Sequence, residues 1–90
     1  MKMKIFSIKD LKAGFQQVFL SANEAVAMRD FGSICNKPDT NYYNFPTDYE
    51  LWCVGEFDTE TGISDVFATR LVSATAYVKP IELDIPANAQ

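Results

Sequence analysis

Lys2, Lys4, Lys9, Lys12 and Arg29 are the side chains of this sequence best suited to contact phosphate, and Tyr42, Tyr43 and Trp52 those best suited to receive unpaired bases. A protein that holds single-stranded nucleic acid needs both kinds. Cations track the backbone, and flat rings stack on bases whatever their identity, each stack contributing roughly 1–3 kcal/mol. The same residues have structural uses as well: lysines solubilise and protect strand ends, and aromatics complete a core or a dimer contact. Catalysis finds less support. The chain has no histidine, so it lacks the usual general base and metal ligand, and it carries neither a glycine-rich phosphate loop nor a Gly-x-Ser-x-Gly elbow. Glu50, Glu56 and Asp58 share one parity along a strand-like segment, and carboxylates in that arrangement are expected to be solvation rather than paired acids. Two cysteines without a histidine do not make a four-ligand zinc site. Cys35 and Cys53 both fall at apolar positions and are expected as buried free thiols. The expectation is a protein with no cofactor and no metal, and not an enzyme.

Charge is distributed unevenly. From Met1 to Lys37 the six basic residues Lys2, Lys4, Lys9, Lys12, Arg29 and Lys37 face only Asp10, Glu24 and Asp30, whereas Pro38 to Thr69 holds seven acidic residues and no basic one. The formal net charge of −4 argues against a generally basic nucleic-acid coat, but a basic first segment can face phosphate while the acidic one faces water or a partner. If so, Lys2, Lys4, Lys9 and Arg29 converge on one surface. Ninety residues make one small domain that buries roughly 60–65% of its unfolded surface, so association with a second copy is an expected supplement. No secretory, membrane-spanning or lipidation signal stands out, which points to a reducing cytoplasm and no membrane.

The elements that must position these residues follow from periodicity. Asp48 to Asp58 alternates strictly. Tyr49, Leu51, Cys53, Gly55 and Phe57 have one parity, and Asp48, Glu50, Trp52, Val54, Glu56 and Asp58 the other, predicting a strand with one packed and one wet, acidic face. Asp58 to Gly62 is a turn, and Ile63 to Phe67 returns as its partner. Lys2 to Lys9 is a strand whose phase change at Ile5-Phe6 predicts a bulge or a central strand covered on both faces. After a turn at Asp10 to Gly14, Phe15 to Leu20 pairs with it as a hairpin. Ser21 to Glu24 has the form of a capping box, and the helix it opens places Ala27, Met28, Phe31, Ile34 and Cys35 on one side. Asn41 to Pro46 is expected as a connection with three aromatics, Leu71 to Val78 as a strand rather than a short helix, and Ile81 to Ile85 as an alternating segment between prolines.

The opening MKIFSIKD, the helix residues Ala27, Arg29 and Phe31, and the stretch Pro46, Asp48, Tyr49, Leu51 leading to Gly55, Glu56, Phe57, Asp58 and Gly62 together resemble the small nonstructural protein of gokushoviruses, tailless single-stranded DNA bacteriophages of the Microviridae. Order and spacing carry the resemblance, which covers about two thirds of the chain and ends near Ala68. It implies an accessory role in single-stranded DNA replication and packaging, in the host cell cytoplasm, with single-stranded DNA or the phage replication complex as partner.

The sequence therefore predicts an α+β domain over residues 1–80, an antiparallel sheet of four or five strands with one helix packed on its apolar face, followed by an edge strand or arm over residues 81–90. Phe31, Leu51 and Phe57 should join helix to sheet. A homodimer or ring is expected, with Ile81 to Ile85 or Tyr42 to Phe45 in its interface. The function predicted is that of a nonenzymatic phage accessory protein binding single-stranded DNA or the replication complex. The alternative is a dimeric protein-interaction module, and an assembly scaffold is a third, weaker reading.

Overall fold

Two hairpins and a helix build the fold of the computed structural model, which describes residues 1–78. β1 (Lys2–Asp10) and β2 (Gly14–Ser21) form the first hairpin, α1 (Glu24–Cys35) crosses the sheet, and after the one-turn α2 (Asn41–Asn44) the chain returns as β3 (Tyr49–Asp58) and β4 (Ser64–Ser73). The strands lie in the order β2-β1-β3-β4, all neighbours antiparallel. The protein is thus an α+β fold with a four-stranded sheet among the described residues. The segment Ile81 to Ile85 lies outside them.

Local chemistry explains the turns. Asp58 Oδ1 accepts from the Glu60 amide at 2.9 Å, and the Gly62 amide donates to Asp58 O at 2.8 Å. Gly62 holds φ at +75° to close this turn, a conformation that costs glycine little. The helix starts later than the capping-box pattern implies. Asn23, extended at φ −160°, accepts the Val26 amide on its Oδ1 at 2.9 Å. Ser21 cannot cap, because it is still paired with Lys4 in the β1–β2 ladder, and its hydroxyl donates to Asn23 O at 3.4 Å. The cap sits on the residue that immediately precedes helical φ/ψ.

The core lies between α1 and one end of the sheet. Phe6 and Ile8 from β1, Tyr49, Leu51 and Cys53 from β3, Ala27, Phe31 and Cys35 from α1, and Ala74 from the 3₁₀ turn Ala74–Ala76 are buried together. Tyr77 then lies against Gly32, where an added Cβ would come within 2.8 Å of its ring. Cys35 and Cys53 are free and buried. Burial pushes the Cys35 thiol up to about 11, so it stays protonated and inert near neutrality.

One bulge decides what the rest of the sheet presents. Phe6 pairs with Cys53 and Ile5 with Gly55, so Val54 is an extra residue on β3. Directly paired residues share a face, and neighbours along β1 alternate. Cys53 and Gly55 therefore lie on opposite faces although they have the same parity. Lys4, opposite Glu56, lies on the helix side, where its Nζ is 3.8 Å from Glu24 Oε2. The strict alternation of Asp48 to Asp58 does not become one apolar and one acidic face. Tyr49, Leu51 and Cys53 are under the helix, whereas Gly55 and Phe57 turn to the other side and Glu56 and Asp58 take the helix side beyond the helix itself.

The fold departs from three further expectations. Phe57 is half-buried and pairs with Met3 away from the core, so it does not join helix to sheet. Asn41 to Pro46 is not a loose connection: Asn41–Asn44 form a helical turn capped by Thr40, whose Oγ1 accepts from the Tyr43 amide at 3.3 Å. Leu71 to Val78 is not a separate strand. Leu71 to Ser73 end β4 and Ala74–Ala76 form a 3₁₀ turn, because Ser73 Oγ accepts the Thr75 amide and stops the strand.

Candidate functional site

Among the described residues nothing covers the face of the sheet opposite α1, and that face is largely apolar. Its residues fall into cross-strand rows, given by the register: Met3 with Phe57 and Ser64; Leu20, Ile5, Gly55 and Val66; Val18, Ser7, Trp52 and Arg70; Phe15, Lys9, Glu50 and Ser73. Val66 is 83% exposed, Val18 67%, Phe15 49% and Leu20 46%. An apolar surface of this kind makes the face a candidate interaction site.

One end of that face carries the polar chemistry. Lys9 and Phe15 are direct partners across the first hairpin, and the Lys9 ammonium sits 5.1 Å from the Phe15 ring centre and 4.9 Å from that of Trp52. The two rings meet edge to face at 5.3 Å and 87°. The cation therefore rests on the electron-rich faces of both aromatics. Trp52 is oriented by Glu50, whose Oε1 accepts from its indole Nε1 at 2.9 Å, while Oε2 accepts from Arg70 Nε at 2.9 Å. Burial raises the Glu50 carboxyl, but the hydrogen bonds from Trp52 and Arg70 and the charges of Arg70 and Lys9 outweigh it, leaving the group below its ordinary value. Glu50 is thus a structural anion that fixes an aromatic and a cation.

The other sequence-predicted residues do not join this cluster. Lys2 lies on the helix side of the sheet in a cleft with Glu56, Asp58 and Asp65. Lys4 is on the same side against Glu24. Lys12 is in the first hairpin turn, 4.0 Å from Asp48, and Arg29 is exposed on α1, 3.7 Å from Asp30. Lys2, Lys4, Lys9 and Arg29 are therefore dispersed, and the expected convergence into one basic surface is not formed: β1 sends Lys2 and Lys4 to one face and Lys9 to the other. Tyr42 packs edge-on against Phe31 at 6.5 Å and Tyr49 at 4.8 Å, with burial raising its phenol above the ordinary value. Tyr43 is half-buried on α2.

Of the eight predicted site residues, Lys9 and Trp52 alone come together. Phe15 and Arg70 complete the cluster and were missed. The signal for Phe15 was present, since a hairpin turning through Asp10 to Gly14 must pair Lys9 with Phe15. Arg70 had none, because its place beside Trp52 depends on Leu71 being an extra residue in β4. Among the described residues no group of acidic or sulfur side chains is arranged to hold a metal ion, and no helix is long and apolar enough to cross a membrane. Residues 3–77 match the model of a family described as Phage ORF5 protein. No curated protein and no solved structure matches the chain.

Proposed function

Given that this chain belongs to the Phage ORF5 protein family, we propose that it is a nonenzymatic accessory protein of single-stranded DNA replication and packaging in a gokushovirus-like phage, acting in the host cytoplasm. It holds unpaired DNA on the open face of its sheet. The observation that carries this reading is the Lys9, Phe15 and Trp52 cluster with Arg70 beside it. Rings on a solvent-facing sheet offer platforms for successive bases, and two cations beside them meet the intervening phosphates. Stacking dominates this mode. With about two phosphate contacts, log K against log salt should have a slope of about −1.4 for a single strand, far shallower than a basic groove would give.

Fluorescence anisotropy of a labelled oligothymidine across a salt series tests the proposal. Phe15→Ala should weaken binding about tenfold or more, since each lost stack is worth roughly 1–3 kcal/mol. No binding at low salt, or binding indifferent to Phe15→Ala, rejects it. The aliphatic remainder of the face, around Ile5, Leu20 and Val66, favours a second reading in which a protein of the replication complex is the target. That reading gains if the same variants retain DNA affinity but lose the complex.

A further inference from the structure

We propose that Phe15 and Trp52 hold two consecutive nucleotides with their bases turned at right angles, so that the site selects strands whose bases stack weakly on one another. The inference rests on the nucleic-acid reading of this cluster and adds to it a preference for pyrimidine runs over stacked purine runs.

Ring geometry is the first argument. Phe15 and Trp52 meet at 87°, and a base stacks with its plane parallel to the ring beneath it. Whichever face of each ring is taken, the two bases received are nearly perpendicular to one another. The ring centres are 5.3 Å apart, less than two base rises of about 3.4 Å each, which leaves no room for a third base between them. The bases are consecutive, and the step that joins them is unstacked. Parallel rings would accept a stacked run, and a single ring could cap the end of one. Perpendicular rings fill together only when a stack is broken.

The angle is held by the fold, which is the second argument. Glu50 Oε1 accepts from the Trp52 indole at 2.9 Å, and Oε2 of the same carboxylate accepts from Arg70 at 2.9 Å. Phe15 is placed by the hairpin register that pairs it with Lys9. The Lys9 ammonium stands 5.1 Å from one ring centre and 4.9 Å from the other, so it is equally placed for the single phosphate that links two such bases. The bond from Trp52 to Glu50 and the position of Lys9 between the rings both oppose a turn toward parallel.

Selectivity follows from the broken step. A strand that is stacked before it binds loses that stack, whereas an unstacked strand has none to lose, so preference tracks stacking strength rather than hydrogen-bond readout. Thymines stack on one another weakly and adenines strongly. Duplex, both stacked and paired, is disfavoured most.

Fluorescence anisotropy of labelled oligothymidine and oligodeoxyadenylate of equal length, each titrated with the full chain at low salt, tests the proposal. The wild type should bind oligothymidine at least about threefold more tightly. Phe15→Ala changes a side chain that is 49% exposed and leaves Trp52 as a single ring able to cap an intact stack. It should weaken both oligomers and bring their affinities to parity, and Phe15→Leu, which keeps an apolar side chain without a flat ring, should do the same; circular dichroism verifies each fold. Equal affinities in the wild type, tighter binding of oligodeoxyadenylate, or a preference that both variants leave unchanged overturns the inference, while oligothymidine binding that depends on Phe15 keeps the nucleic-acid reading standing. Failure of both oligomers to bind rejects that reading, and the preference with it.

Discussion

Replacing Gly55 by alanine sets two physical effects against each other. By residue propensity the change should help, because alanine loses less backbone entropy than glycine within a strand, a gain of roughly 0.5–1 kcal/mol. The structure predicts the opposite. A Cβ on Gly55 would lie 2.5 Å from the Asp65 carbonyl oxygen and 3.3 Å from Ile5 Cδ1. The Ile5 methyl can rotate away, but the Asp65 oxygen belongs to the backbone of β4 and moves only with the strand. Overpacking of this kind costs about 1–3 kcal/mol, and a backbone obstacle places the cost near the upper end, which leaves a net loss of about 2 kcal/mol after the propensity gain. Against a total of roughly 5–10 kcal/mol for so small a domain, that is a large fraction. Urea unfolding followed by circular dichroism measures it as a lower midpoint with an unchanged m value. A Gly55→Ala variant as stable as the wild type, or more so, would refute the bulged register at Val54, and with it the assignment of Phe57 and Trp52 to one face.

Three further expectations rest on other elements. Phe31 is 1% exposed in the core, so Phe31→Ala should cost about 3–5 kcal/mol; Phe57→Ala, removing a half-buried ring outside the core, should cost about 1–2 kcal/mol, and equal losses in thermal melts would contradict the division of the sheet. Asn23→Ala should destabilise by about 1 kcal/mol through the lost cap, and Ser21→Ala should cost distinctly less; the reverse order in urea titrations would restore the capping box. The Glu50 carboxyl lies below its ordinary value of 4.5, so its contribution is fully present above that pH and is lost as pH falls through the folded value, the unfolded chain taking up the proton first; the stability of Glu50→Gln should accordingly fall less steeply below pH 4.5, and parallel profiles would show that Glu50 is not the group responsible.

Periodicity made the elements legible and left their faces uncertain. The hairpins, the helix and its inner residues Ala27, Phe31 and Cys35 follow from spacing and turn chemistry; of the two readings of the phase change at Ile5-Phe6, β1 is a central strand, and the extra residues lie in its partners, Val54 of β3 and Gln17 of β2. What the alternation of β3 could not reveal is which strand carries the extra residue. Val54 is inserted opposite β1, and that single residue exchanges the faces of Gly55, Phe57, Glu56 and Asp58. The basic residues failed as a group for a related reason: charge summed along a segment ignores that Lys4 and Lys9 differ in parity. Lys9 and Trp52 were found because their residue types are suited to the task, and Phe15 was missed although the hairpin register alone places it beside Lys9. Tyr42 illustrates the converse, an aromatic of suitable type that the core between Phe31 and Tyr49 takes up.

Trp52 is the chain's one tryptophan and sits within the cluster proposed to receive DNA, so its emission reports directly on the central claim. Titration of the wild type with oligothymidine at low salt should quench Trp52 fluorescence saturably, with the quench much reduced in Phe15→Ala and weakened in Lys9→Ala. Emission that stays unchanged through saturating oligonucleotide, in a protein whose circular dichroism shows it folded, would contradict the assignment of nucleic-acid binding to this face.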